Sequence, residues 1–176
     1  MIEQRLRSAI RDVPDFPKPG IVFKDITPIL KDPQLCKAVV DHMTQQLDRN
    51  TIDVVVGIES RGFLFGLMLA QQLDKPFVPV RKVGKLPYDT MQQEYALEYG
   101  NATIEIHADA FTAGSRVLIH DDLLATGGTV VATSQLIERL GGHIAGYTFI
   151  ISLDFLNGKD RLTSFSPHVN TLVGYG

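Results

Sequence analysis

The sequence predicts an α/β fold: a doubly wound, mostly parallel sheet flanked by helices. Unbroken apolar runs such as Val54-Val55-Val56-Gly57-Ile58 have the character of strands covered on both faces. Helical patterns alternate with such runs in the order strand, helix, strand, then strand, helix, strand. One run, Val117-Leu-Ile-His-Asp-Asp-Leu-Leu-Ala-Thr-Gly-Gly-Thr129, ends in two carboxylates and opens through small residues onto a helix. That places polar groups at the C-terminal ends of strands, where sheets of this kind bind ligands.

Each element has its own justification. Ile2, Leu6, Ala9 and Ile10 fall on one face of a short amphipathic helix. Pro14, Pro17 and Pro19 break regular structure, and Gly20 releases the chain into Ile21-Val22-Phe23. Asp32-Pro33 starts a helix, the Asp as cap and the Pro in the first turn. Leu35, Val39, Met43 and Leu47, with Ala38 and His42, form its buried stripe. Strand 54–58 leads to a helix over 63–73 and a second short strand, Phe77 to Val80. Residues 82–97 mix Lys, Gly, Pro, Tyr and Gln without periodicity, a loop long enough to be functional rather than a simple connection. Thr103 to His107 alternates as a strand does, and Ala113-Gly114 is a turn. Strand 117–120 then precedes a helix over 129–140 that Gly141-Gly142 terminates, and 145–152 is a further apolar strand.

Composition narrows the function classes. With 176 residues and 44% hydrophobic content, the chain suits one well-packed domain, 1–176. A formal net charge of -3 and the absence of a basic stripe argue against a nucleic-acid partner. No apolar run approaches the roughly 20 residues that cross a bilayer, and Met1 to Arg11 lacks a signal peptide's apolar core. The lone cysteine, Cys36, excludes an internal disulfide, reads as a buried structural thiol and fits a cytoplasmic location. The five His residues have no metal-ligand spacing, so no protein-built metal site is expected. His42 and His143 read as helix-surface or near-turn residues, and His120 as a satisfied, partly buried strand residue.

The chemistry concentrates at 117–129. Asp121 and Asp122 suit sugar hydroxyls or a metal, and the loop Ala125-Thr126-Gly127-Gly128-Thr129 suits a phosphate at a helix N-terminus. It is neither a dinucleotide Gly-x-Gly-x-x-Gly pattern nor a P-loop, since no Gly-Lys-Ser/Thr follows. The stretch strongly resembles the phosphoribosyl-diphosphate (PRPP) signature of the type I phosphoribosyltransferases. By that resemblance Asp121 and Asp122 face the ribose 2- and 3-hydroxyls, and residues 125–129 wrap the 5-phosphate.

Three further segments extend the resemblance to the adenine phosphoribosyltransferases. Glu59-Ser60-Arg61-Gly62 alone is a strand-to-helix turn; in the family it holds diphosphate, often through a non-proline cis peptide, with Arg61 donating charge-assisted hydrogen bonds. The segment 81–99 carries Arg81-Lys82-Val-Gly-Lys85 and Leu97-Glu98-Tyr99-Gly100. It is implied to be a flexible catalytic loop that excludes water, with Arg81, Lys82 and Lys85 on the departing diphosphate. In the family Glu98 handles a proton near the base and Tyr99 supports the closed loop, so Glu98, Tyr99 and Arg61 are the implied catalytic residues. Phe16-Pro17-Lys18-Pro19-Gly20-Ile21-Val22-Phe23-Lys24-Asp25 resembles the family's hood, within an N-terminal region 1–33. Val22, Phe23 and Lys24 are then placed at the purine edge, with Leu153 against the ring.

The resemblance implies conversion of adenine and PRPP to AMP and diphosphate through an oxocarbenium-like transition state. It also implies Mg2+ carried mainly on the PRPP diphosphate, and a homodimer. Ser152 stands where relatives often carry Glu, and Lys24 where Arg is commoner. A 6-oxopurine phosphoribosyltransferase is the rival within the class, but no Lys occurs in 145–153 to read a 6-oxo group, the first downstream being Lys159. A non-catalytic PRPP-sensing regulator is the rival from another class; it would be expected to carry an added nucleic-acid-binding domain or a basic face.

Overall fold

The computed structural model describes residues 1–97 and 100–176. In chain order the elements are α1 (Ile2–Ala9), β1 (Arg11–Pro14), β2 (Val22–Asp25), α2 (Thr27–Leu30), α3 (Pro33–Gln45), β3 (Val54–Ile58), α4 (Gly62–Leu73) and β4 (Phe77–Lys82). There follow β5 (Thr90–Ala96), β6 (Asn101–His107), β7 (Arg116–Leu124), α5 (Gly128–Arg139), β8 (His143–Leu153) and β9 (Val169–Tyr175). Seven strands form one sheet in the order β5-β6-β4-β3-β7-β8-β9, while β1 and β2 pair as a separate two-stranded hairpin.

The sheet is mixed. β4, β3, β7, β8 and β9 run parallel, and β6 and β5 add an antiparallel edge beside β4. The central parallel strands β3, β7 and β8 are buried on both faces along most of their length, as their apolar runs require. Val55 and Leu118 pack with α1, α3 and α4 on one side; Val54, Val56, Val117 and Ile119 pack with α5 on the other. From β3 the chain moves outward to β4, then returns to place β7 on the opposite flank. The crevice above β3 and β7 is thus the topological switch point, the place in such sheets where helix N-termini and strand ends converge on a ligand.

The apolar patterns held where burial drives structure. α1 buries Leu6, with Ile10 buried just past its end, and α3 buries Leu35, Val39 and Met43 beneath an Asp32 cap accepting from the N–H of Gln34 and Leu35, both at 3.0 Å. Cys36 is buried and donates to Ile29 O at 3.3 Å, and burial raises its thiol pKa.

Three expectations need correction. Residues 82–97 are not an unstructured loop: Thr90–Ala96 forms β5, paired along its whole length with β6. Its sequence, Thr-Met-Gln-Gln-Glu-Tyr-Ala, has too few apolar residues to show a period, because an edge strand is held mainly by its backbone ladder. The strand foreseen at 117–120 continues to Leu124, so Asp121 and Asp122 lie within the ladder to β8 rather than beyond it. His120, expected to be partly buried and satisfied, is fully buried and has an unpartnered Nε2. Beyond the last strand expected from the sequence, β9 adds a further edge strand beside β8.

Candidate active site

Three chain segments meet at the crevice. β3 is entirely buried and delivers the turn Glu59-Ser60-Arg61, which opens α4; the Glu59–Ser60 peptide is cis. β7 delivers the two carboxylates. The approach is close: a Cβ built on Gly62 would lie 2.9 Å from Asp121 Oδ1 and 3.0 Å from the His120 carbonyl oxygen. Arg61 Nε stands 3.1 Å from Asp122 Oδ2. The turn that reads as a diphosphate cradle and the acids that read as ribose ligands are therefore one site.

Its electrostatics are unsettled in the way a binding site's are. Burial lifts the Asp121 carboxyl well above the usual range, and the neighbouring Asp122 lifts it further. Burial also raises Asp122, against the opposing pull of Arg61. Asp121 Oδ1 accepts the Asp122 N–H at 2.8 Å. Among the described residues, Arg61 Nη1 and Asp122 Oδ2 are buried without a hydrogen-bond partner. Buried polar groups are seldom left so unless a ligand completes them.

Beside the acids, Ala125 to Thr129 curls into the start of α5. Gly127 caps the helix with φ +79, a left-handed conformation natural to glycine, and no side chain caps the N-terminus. The first backbone N–H groups of α5 therefore have no helical acceptor, and the helix dipole adds partial positive charge. Thr129 Oγ1 donates to Tyr95 Oη at 3.0 Å, and Arg161 Nη1 donates to Thr126 O at 3.0 Å.

The segment that follows β4 is more ordered than a loop. Arg81 Nε and the Lys82 N–H both reach Glu59 Oε2, at 3.1 and 3.0 Å, so the Glu59 side chain is committed to holding the start of the segment 81–99. Any contact from Glu59 to diphosphate would then fall to its backbone. Lys82 and Lys85 are exposed near the same turn. Arg139 donates to Gln92 O at 2.7 Å, docking β5 along α5. Glu98 and Tyr99, assigned to catalysis by resemblance, lie outside the described residues.

The residue that sequence reading missed here is Glu105. It is 2% exposed, and its Oε1 accepts the N–H groups of Lys85 and Leu86, both at 2.9 Å. Burial opposes its ionisation, but those bonds and one from Gly84 outweigh it and hold the carboxyl below its usual range. A signal existed: one acid between Ile104 and Ile106, in a strand whose neighbours bury both faces.

The segment expected to form a hood folds as the β1–β2 hairpin. Phe16 packs edge-on to Phe23 at 5.2 Å, and the Arg61 guanidinium lies 4.8 Å over the Phe23 ring, coupling hood to diphosphate turn. β2 pairs on one edge only, while Val22 is half-exposed. Lys24 Nζ binds Asp12 at 2.7 Å and sits 4.0 Å over the Tyr175 ring. Leu153 ends β8 opposite Tyr175. Lys159, the nearest Lys after β8, is held by Asp154 at 3.0 Å.

His120 is fully buried; its Nδ1 lies 3.0 Å from Thr148 O, so the proton sits on Nδ1, since a carbonyl can only accept. Burial depresses its pKa to about 4, with the Thr148 bond partly opposing. It lies within the β7–β8 ladder rather than in the crevice.

Comparison with known proteins agrees with this geometry. The phosphoribosyl transferase domain model matches residues 27–155. The chain is 55% identical over 175 residues to the adenine phosphoribosyltransferase of Cytophaga hutchinsonii, covering 99% of this chain and 97% of that one. It is 52% identical over 170 residues to that of Methanococcus vannielii, covering 97% of each. Among solved structures, the Thermoanaerobacter pseudethanolicus adenine phosphoribosyltransferase superposes with a TM-score of 0.95 at 44% identity, over 99% of this chain and 100% of that one. The Saccharomyces cerevisiae enzyme, complexed with an imino-altritol bisphosphate and adenine, gives 0.91 at 42% identity over 97% and 98%. The chain belongs to the phosphoribosyltransferase family, in its adenine phosphoribosyltransferase branch.

Proposed function

We propose that this protein transfers the phosphoribosyl group of PRPP to adenine, releasing AMP and diphosphate. The observation that carries the reading is the meeting of Arg61 and Gly62 with Asp121 and Asp122, which puts a diphosphate turn, a sugar-binding acid pair and a phosphate loop in one crevice. In this reading Ala125, Thr126, Gly127, Gly128 and Thr129 hold the 5-phosphate through backbone N–H groups and the Thr hydroxyls. Asp121 and Asp122 accept from the ribose hydroxyls. Arg61 turns from Asp122 to the diphosphate, joined by Ser60, the Glu59 backbone, Arg81, Lys82 and Lys85.

The bond from the anomeric carbon to diphosphate then breaks, and its electron pair leaves with the diphosphate. The cations around that group stabilise charge that grows as the bond lengthens, the kind of interaction that lowers a barrier rather than merely binding substrate. Adenine N9 attacks the oxocarbenium-like carbon and sheds a proton, which Glu98 is assigned to manage. Val22, Phe23 and Lys24 of the hood and Leu153 hold the base, and the β5–β6 hairpin keeps water from the activated sugar.

Magnesium would arrive on the diphosphate. Among the described residues no group of three or more His, Cys, Asp or Glu forms a cage, but Asp121 and Asp122 offer hard oxygens beside the sugar, and Mg2+ commonly binds through substrate phosphates and one or two carboxylates. Its contribution there is to neutralise charge on the leaving group.

A homodimer fits the outer face of α4, where Leu64, Leu67 and Met68 are exposed at 43%, 48% and 36%. The buried, unpaired Cys36 fits the reducing cytoplasm, and no helix among the described residues is long and apolar enough to cross a membrane. Against the 6-oxopurine alternative stands Lys159, engaged with Asp154.

The test is direct. Incubation with PRPP, Mg2+ and each purine base in turn should give AMP and diphosphate from adenine alone. Conversion of hypoxanthine or guanine with no AMP from adenine would overturn the reading.

A further inference from the structure

We propose that Arg161 is a positioning residue for the 5-phosphate: its guanidinium pins the phosphate loop and supplies the charge that the loop itself lacks. The inference rests on the site reading above and extends it to a residue outside the recognised motifs.

Ala125-Thr126-Gly127-Gly128-Thr129 contains no charged side chain, yet a phosphate monoester carries nearly two negative charges at neutral pH. The α5 N-terminus offers only about half a unit of positive charge. Tyr95, Ala96, Leu97, Thr126, Gly128, Thr129 and Arg161 line a cleft at this loop, and Arg161 is its one charged lining residue among those described. Its Nη1 donates to Thr126 O at 3.0 Å and lies 3.9 Å from where a Cβ on Gly128 would stand. A guanidinium has five N–H donors, and one is used on Thr126, leaving others for an anion beside the first turn of α5.

The backbone is built to bring Arg161 there. After β8, Asn157 adopts a positive φ of 55, and a 3-10 turn runs Gly158–Arg161. This turn lies directly against the phosphate loop. A Cβ on Gly158 would collide with Ala125 O, and a Cβ on Gly127 would come within 3.0 Å of Gly158 O. Bare backbone on both sides permits the contact, and fully buried Leu162 anchors the turn from behind. Lys159, on the same turn, is engaged with Asp154, so Arg161 is the cation delivered to the loop.

PRPP divides into halves that separate this role from a merely structural one. Calorimetric titration of the whole protein with ribose 5-phosphate, and separately with inorganic diphosphate, reads each half without requiring turnover. Arg161→Gln should weaken ribose 5-phosphate by about tenfold, the usual weight of one charge-assisted hydrogen bond, and leave diphosphate within twofold. Arg161→Lys keeps the charge and should recover part of that loss. Equal ribose 5-phosphate affinity in Arg161→Gln and the parent protein overturns the proposal, as does a parallel loss for both ligands. If Arg161→Gln does not fold, an unaltered ribose 5-phosphate affinity in Arg161→Lys, which cannot reproduce the planar fork, overturns it as well. Absence of AMP formation by the parent, with the Arg161 dependence intact, would sink the transfer reading and leave this one standing.

Discussion

β7 and β5 both run to the same crevice, and they are held there by different physics. β7 is flanked by β3 and β8 and carries Val117, Leu118 and Ile119 into cores on both faces, so its position is set by apolar burial. β5 is the edge strand, with only Met91 and Tyr95 packed against the core. Its place is set instead by polar ties: the ladder to β6, Arg139 on Gln92 and Tyr95 on Thr129. A strand fixed by burial cannot move without unfolding, whereas one fixed by a few hydrogen bonds can lift at a cost of a few kcal/mol. Under the proposed transfer reading, the groups that hold ground-state geometry sit on the first, and the segment proposed to open and close includes the second.

Substitutions can break or sharpen this contrast. The largest effect is expected on β7. Asp122→Asn should lower kcat/KM for PRPP by roughly 10²–10³-fold, comparable to losing one preorganised charge-stabilising group, while circular dichroism stays native. Unchanged steady-state kinetics would remove Asp122 from the ribose site.

Next comes the acid limit of the β7 core. His120 has a folded pKa of about 4 against an ordinary 6.5. Below 6.5 the unfolded chain takes up a proton that the folded chain refuses. The His120 contribution to stability is therefore complete above 6.5 and falls by about 1.4 kcal/mol per pH unit until the folded pKa is reached. Urea melts at several pH values should show this slope in the difference between the parent and His120→Gln, which does not titrate at that position. An identical slope in the variant would show that His120 is not the responsible group.

On the hairpin side the effects should be smaller and local. Glu105→Gln removes the charge that gathers the Lys85 and Leu86 N–H groups, at a cost of about 1 kcal/mol. Amide exchange at those two residues should quicken roughly fivefold, with the melting of the parallel strands little changed. A global loss of protection would place the lid root in the cooperative core and collapse the distinction. The smallest change is Tyr95→Phe, which removes the partner of Thr129 and should alter KM for PRPP by two- to fivefold, about 0.5–1 kcal/mol. A change in unfolding midpoint as large as that of a core truncation would contradict the polar-tie account.

Much of the core was readable because its signals are local. Val54–Ile58 and Val117–Ile119 are apolar without interruption, Asp32-Pro33 announces a helix start, and Gly141-Gly142 announces an end. The acid pair and phosphate loop were readable for the same reason, being contiguous. Residues whose roles depend on distant partners were not. Glu105 is a surface-type residue until β4, β5 and the 84–86 backbone surround it. Arg161 is an ordinary cation until Gly158 and Gly127 let its turn rest on the loop.

By itself the sequence determined the α/β class, the parallel core and the contiguous 117–129 motif that carries the family resemblance, since periodicity and contiguous motifs are written along the chain. Only the tertiary structure decided that Arg61 reaches Asp122, that Glu59 is engaged with Arg81, that the supposed loop is half strand, and that β9 completes the sheet. Apart from the β5–β6 hairpin, each of these brings together groups far apart in sequence, and such pairs acquire an energy only once folding has brought them within a few ångströms in a place with little water.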